Sequence, residues 1–178
     1  MYKACIFDLD GTLTDTLESL TYSVNKTLKE LGFPCITEEQ CRQFVGSGAR
    51  ALMERALIAA GDEKLEQIGK GMEVYGRIFG ENCTYHVKPY KGVLEMLDKL
   101  RAMKICTAVV SNKPHAQTVD VVSQVLGRER FESISGQREG INRKPDPAGV
   151  LEAIRTLGIA KEECLYIGDS EVDVETAK

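Results

Sequence analysis

No apolar run in the 178 residues approaches the roughly 20 needed for a membrane-spanning helix. Nor does a signal-peptide pattern open the chain, where a single Lys3 stands before the first apolar segment. The six cysteines, at 5, 35, 41, 83, 106 and 164, form no CxxC pair and no zinc spacing. Cys5, Cys106 and Cys164 lie in apolar, strand-like runs, where a small buried thiol is the simplest role. A reduced, cytoplasmic protein is expected. Excess positive charge is also missing. The net charge of −4 implies no general attraction to nucleic acid or to an anionic membrane. An anionic substrate would need a local cationic site against that background. Internal repeats and low-complexity segments are absent. What is there is ordinary for a globular protein, 43% hydrophobic and 28% charged. The length suits one domain, or one domain plus a small insert.

Strand-like apolar runs recur at 4–7, 105–110 and 164–167, with a weaker one near 131–135. Helical patterns at about 91–103, 115–126 and 147–157 separate them. In the first helix Val93, Leu94, Leu97 and Leu100 share a face. The third starts at Pro145-Asp146-Pro147 and stops at Gly158. Strands alternating with helices of this length predict a parallel α/β sheet. Residues 15–86 break the alternation, with helical patterns only, at 17–31, 38–44, 48–60 and 64–79. The expected organisation is an α/β core made of 1–14 and 87–178, with 15–86 an inserted helical lid. Hinges are expected near Thr14-Asp15 and Val87-Lys88-Pro89. A sheet of this type is expected to continue past Lys178 by another strand or two.

Phe7-Asp8-Leu9-Asp10-Gly11-Thr12-Leu13 closes the first strand. Two carboxylates two residues apart point the same way if the strand geometry continues. Holding them together is costly unless a cation or a shared proton relieves the repulsion. This is either a metal or acid/base site, or a strand end with two solvated aspartates. Ser111-Asn112-Lys113-Pro114 follows the second strong strand and precedes a helix. It offers either a phosphate cradle or a plain helix cap. Lys144 is flanked by Arg143 and Pro145, and the prolines nearby could aim it into a site. Gly168-Asp169-Ser170 ends the last strand, with Asp173 four residues beyond Asp169. That pair suits a hard cation such as Mg²⁺, or equally the capping of a helix N-terminus. Ligands gather at the carboxyl ends of parallel strands, and all four segments are expected there.

In this order, Asp8-Leu9-Asp10-Gly11-Thr12, Ser111-Asn112, Lys144-Pro145 and Gly168-Asp169-Ser170 with Asp173 resemble the four motifs of the haloacid dehalogenase superfamily. The helical insert resembles the four-helix cap of its first subclass. Gly11-Thr12-Leu13-Thr14-Asp15-Thr16 and Phe44-Val45-Gly46-Ser47-Gly48-Ala49-Arg50 are similar to phosphoglycolate phosphatases. The resemblance implies a doubly wound, Rossmann-like parallel sheet carrying an all-helical cap, and a Mg²⁺-dependent phosphomonoesterase. Asp8 is then the nucleophile and forms an aspartyl-phosphate, and Asp10 is the general acid and base. Ser111, Asn112 and Lys144 hold the phosphoryl group. Asp8, Asp10, Asp169 and Asp173 form the metal site, Asp10 through its backbone carbonyl and Asp173 from behind. Gly46, Ser47, Gly48 and Arg50, with Lys113, are candidates for reading the substrate's carboxylate. The expected partner is a small phosphorylated metabolite, with neither nucleic acid nor membrane. A sugar-phosphate mutase, another small-molecule phosphatase and a catalytically silent regulatory module are the competing readings.

Overall fold

The computed structural model describes all 178 residues. In chain order the elements are β1 (Ala4–Phe7), β2 (Thr14–Asp15), α1 (Leu17–Glu30), α2 (Glu38–Phe44), α3 (Ala49–Ala59) and α4 (Ile68–Asn82). They continue with β3 (Lys88–Pro89), α5 (Val93–Ala102), β4 (Cys106–Pro114), α6 (His115–Val121) and β5 (Ser133–Gln137). The last are α7 (Ala148–Leu157), β6 (Cys164–Ile167) and α8 (Glu171–Ala177). The chain divides into two compact units, Met1–Asp15 with Lys88–Lys178, and Thr16–Val87.

The first unit is built on a four-stranded sheet ordered β5-β4-β1-β6, with every neighbouring pair parallel. All four residues of β1 are buried, as expected of an inner strand covered on both faces. Ile6, Ala108 and Val110 meet Val150 and Ala153 of α7 in one core cluster. The α7 helix ends at Gly158, whose left-handed φ of 66° terminates it where the sequence places the stop. The segments that join the two units pair with each other, Thr14 with Pro89 and Asp15 with Lys88, as a short antiparallel ladder.

Two elements of this unit differ from the sequence expectation. The β4 strand runs four residues past 110, because its distal end pairs with β5, Pro114 opposite Gln137, across a register shift. Ser111–Pro114 is therefore the end of the strand, and it runs directly into α6 as the sequence places a helix there. The helix expected over 115–126 is α-helical only to Val121, and Val122–Leu126 widens into a π turn.

The second unit is all helical. Leu20, Val24 and Leu28 of α1 are buried at four-residue spacing, as are Leu52, Met53, Ala56 and Leu57 on α3. The α2 helix opens with a reciprocal capping box between Thr37 and Gln40. The α4 helix begins later than its sequence pattern. Buried Asp62 accepts the backbone N–H groups of Glu66 and Gln67, both at 2.9 Å, and this turn occupies the expected first residues. No helix of the protein is long and apolar enough to cross a membrane.

Candidate active site

Asp8 follows β1 directly and is 6% exposed. Its backbone N–H donates to the Ile167 carbonyl at 2.9 Å, continuing the ladder beyond the end of the strand. Next comes a tight turn, in which the Gly11 N–H donates to the Thr14 carbonyl. Gly11 has φ 90°, and any Cβ there would collide with the Asp169 carboxylate. Only glycine allows that approach. The turn also brings the Thr12 hydroxyl to Asp169 Oδ1 at 2.9 Å.

Lys144 is buried and links two of the expected residues. Its Nζ donates to Asp8 Oδ1 at 2.6 Å and to Asp173 Oδ1 at 2.7 Å. Asp173, 3% exposed, also accepts the Tyr166 hydroxyl at 2.8 Å on the same oxygen. Its other oxygen accepts the Ser170 N–H at 3.1 Å and the Ser170 hydroxyl at 2.5 Å. Asp173 is thus both the partner of Ser170 in the capping box that opens α8 and the anchor of Lys144. The sequence left metal ligation and capping as alternatives there, and every hydrogen bond Asp173 makes supports the capping and anchoring role.

The electrostatics follow from this burial. Loss of water pushes the Asp8 carboxyl up to about 7, against the pull of Lys144 and with the help of Asp173 and Asp10. Burial also works on Asp173, but hydrogen bonds from Lys144 and Ser170 outweigh it and hold that carboxyl below its ordinary range. For Lys144, burial favours the neutral amine, yet the charges of Asp8 and Asp173 prevail and its pKa is raised. Burial, then the hydrogen bond to Asp173, keeps the Tyr166 phenol protonated.

Carboxylate oxygens of Asp8, Asp169 and Asp173 all lie within 4.8 Å of one another. The Asp10 carboxylate is outside this trio, and its Oδ1 is 3.0 Å from Lys113 Nζ. Four carboxylates therefore face two ammonium groups, leaving two formal negative charges for a divalent cation to balance. The donor set is all oxygen, which is what Mg²⁺ prefers. By charge and by chemistry the residues fit the ion.

Two of the expected ligand-binding residues have protein partners that the sequence did not show. Asn112, expected on the phosphate, has its side-chain amide engaged by the backbone of residue 144. Its Oδ1 accepts the Lys144 N–H at 2.8 Å, and its Nδ2 donates to the Lys144 carbonyl at 3.1 Å. It positions the lysine. Lys113, grouped with the cap residues as a reader of substrate, lies in the α/β unit and pairs with Asp10. Ser111 is buried, and its Oγ accepts the Lys113 N–H at 3.2 Å. Of the cap candidates, Gly48 is the residue before α3, and exposed Arg50 pairs with Glu54 at 2.8 Å along that helix. The loop that holds Gly46 and Ser47 is tied by Arg55, whose Nη1 donates to the Phe44 carbonyl at 2.8 Å.

The sequence reading missed Thr12 and Tyr166. Thr12 carried a signal, since it stands inside the first motif. Tyr166 reads as one more apolar strand residue, and only its hydroxyl's approach to Asp173 reveals a role.

A carboxylate and lysine cluster at the carboxyl edge of a parallel sheet marks a protein that handles a charged ligand there. Residues 5–178 match the family described as haloacid dehalogenase-like hydrolase. The chain is 33% identical to a phosphoglycolate phosphatase of Thiobacillus denitrificans, covering 99% of this chain and 78% of that protein. It is 34% identical to one of Pseudomonas savastanoi, covering 99% of this chain and 65% of that protein. A solved structure of a predicted phosphoglycolate phosphatase from Haemophilus somnus matches with a TM-score of 0.90 at 29% identity, over 99% of this chain and 80% of that one. The chain belongs to the haloacid dehalogenase-like hydrolases, and it is a phosphatase resembling the phosphoglycolate phosphatases among them.

Proposed function

We propose that the protein hydrolyses 2-phosphoglycolate to glycolate and phosphate through an aspartyl-phosphate on Asp8, acting with Mg²⁺ in the reducing cytoplasm. The observation that carries this reading is the placement of Asp8, buried at the end of β1 between Lys144 and Asp169. A carboxylate so placed can serve as a nucleophile when its charge is balanced. A bound Mg²⁺, held by the Asp8 carboxylate, the Asp10 backbone carbonyl and Asp169, would supply charge relief for attack by one anion on another.

The remaining chemistry belongs to side chains. An Asp8 oxygen attacks phosphorus, and the bond from phosphorus to the alkoxide oxygen breaks. Asp10 gives its proton to the leaving alkoxide. Water then attacks the aspartyl-phosphate, Asp10 takes a proton from it, and the Asp8 carboxylate is regenerated as phosphate departs. Lys144 and Ser111 hold the phosphoryl oxygens, and Asn112 fixes the backbone from which Lys144 reaches. Asp173 and Tyr166 hold Lys144 from the other side.

The deciding experiment is Mg²⁺-dependent phosphate release from 2-phosphoglycolate and from p-nitrophenyl phosphate. Strong preference for the first, abolished by Asp8→Asn, supports the proposal. Release from the aryl ester alone removes the named substrate, and retained turnover in Asp8→Asn removes the mechanism. The same proposal assigns the substrate carboxylate to Gly46, Ser47, Gly48 and Arg50 of the helical unit. Arg50→Ala is expected to raise KM for 2-phosphoglycolate more than for the aryl ester. An equal effect on both would take Arg50 out of recognition.

A further inference from the structure

The proposed mechanism needs Asp10 to carry a proton twice, yet its carboxylate stands two residues from Asp8, beside a cluster suited to a divalent cation. Left to itself, a fourth carboxylate so near would be drawn into the cluster as a ligand. There it could no longer exchange a proton with an ester oxygen. In the structure it is kept out of the trio of Asp8, Asp169 and Asp173. Its Oδ1 lies 3.0 Å from Lys113 Nζ instead.

The holder is itself held. The Lys113 side chain is 2% exposed and that of Asp10 18%, so the pair attracts with little screening by water. The Lys113 backbone is fixed at both ends, its N–H donating to Ser111 Oγ and its carbonyl accepting the Thr118 hydroxyl, each at 3.2 Å. This anchorage depends on the extension of β4 through Ser111–Pro114. Adjacent residues then serve different partners, Asn112 the backbone of Lys144 and Lys113 the side chain of Asp10.

We infer that Lys113 is a positioning residue for the proton-transfer steps. It holds the Asp10 carboxylate apart from the acidic trio. The inference rests on the phosphatase reading and adds a role for Lys113.

The test separates proton transfer from phosphorus transfer. Nitrophenolate leaves without a proton, whereas the alkoxide of 2-phosphoglycolate needs one. In Lys113→Met, kcat for 2-phosphoglycolate is expected to fall on the order of 10²-fold with KM little changed, the scale of a lost acid or base. Mixing the same variant with p-nitrophenyl phosphate should still give a rapid burst of nitrophenolate, one per site, as phosphoenzyme accumulates for want of a base. The burst also reports that the variant is folded. Lys113→Arg should restore most of the turnover, and Lys113→Met added to Asp10→Asn should cost nothing further. Loss of the burst together with turnover, in both Lys113→Met and Lys113→Gln, would overturn the inference. So would a rise in KM for 2-phosphoglycolate at unchanged kcat, which would make Lys113 a reader of substrate. If the unaltered enzyme releases phosphate from neither ester, the phosphatase reading fails first and this inference falls with it.

Discussion

Lys144 satisfies two carboxylates with one ammonium, and each contact is a charge-assisted hydrogen bond inside the protein. Such a group cannot be held by its own flexible stem, so its backbone is clamped by Asn112 and its head is met by Asp173. Asn112→Ala removes both backbone bonds and leaves a buried N–H and carbonyl in need of partners. The expected cost is about 1–3 kcal/mol of stability. A fall in kcat should accompany it, because Lys144 loses its aim while keeping its charge. Urea denaturation and phosphate-release kinetics check the two parts. Unchanged kcat would mean that Asp173 alone holds the lysine.

Each element contributes to the site through what it does at its end. The β1 strand is buried on both faces, which fixes Asp8 in depth and direction, and the Gly11 turn then lets Asp169 approach. The extension of β4 carries Ser111, Asn112 and Lys113 in succession, and the start of α8 supplies Ser170 as the partner that orients Asp173. Ile6 is fully buried in the cluster with Ala108, Val110, Val150 and Ala153. Ile6→Ala should therefore cost about 2–5 kcal/mol, with the outcome set by how far the cavity collapses. Denaturant midpoints measure this, and a loss well under the range would mean that α7 settles inward onto β1.

For the molecule as a whole, the excess of carboxylates in the site couples stability to pH and to metal. Asp8 has its pKa raised from 3.8 to about 7, so folding favours its protonated form. The stability this gives is fully present below pH 3.8 and is lost as pH rises through about 7. Asp173 is shifted the other way, so its contribution is present above pH 3.8 and fades below it, in a separate window. In the proposed site a divalent cation would bind the ionised form of Asp8 and would have to displace its proton below about pH 7. The rise in Tm on adding Mg²⁺ to chelator-treated protein is thus expected to be larger at pH 8 than at pH 5 (both pH values roughly one to two units from the Asp8 midpoint). Melting curves at the two pH values test it. An equal or larger rise at the lower pH would contradict the assignment of Asp8 as a ligand.

The sequence by itself determined the alternation of strands and helices, the helical block between them, and four polar segments at strand ends. These are local properties, carried by side-chain period, by glycine and proline, and by the burial tendency of each residue type. They were enough to mark Asp8, Asp10, Lys144 and Asp169 as a group. Partnership was decided only by the tertiary structure, because a side chain's hydrogen bonds depend on which strands become neighbours. Pairing of Pro114 with Gln137 extended β4 beyond its apolar run, and the fold brought Asn112 to Lys144 and Lys113 to Asp10. The Tyr166 hydroxyl and the two roles of Asp173 became visible for the same reason. No local pattern encodes the meeting of Tyr166 with Asp173, 7 positions apart, or of Asn112 with Lys144, 32 apart.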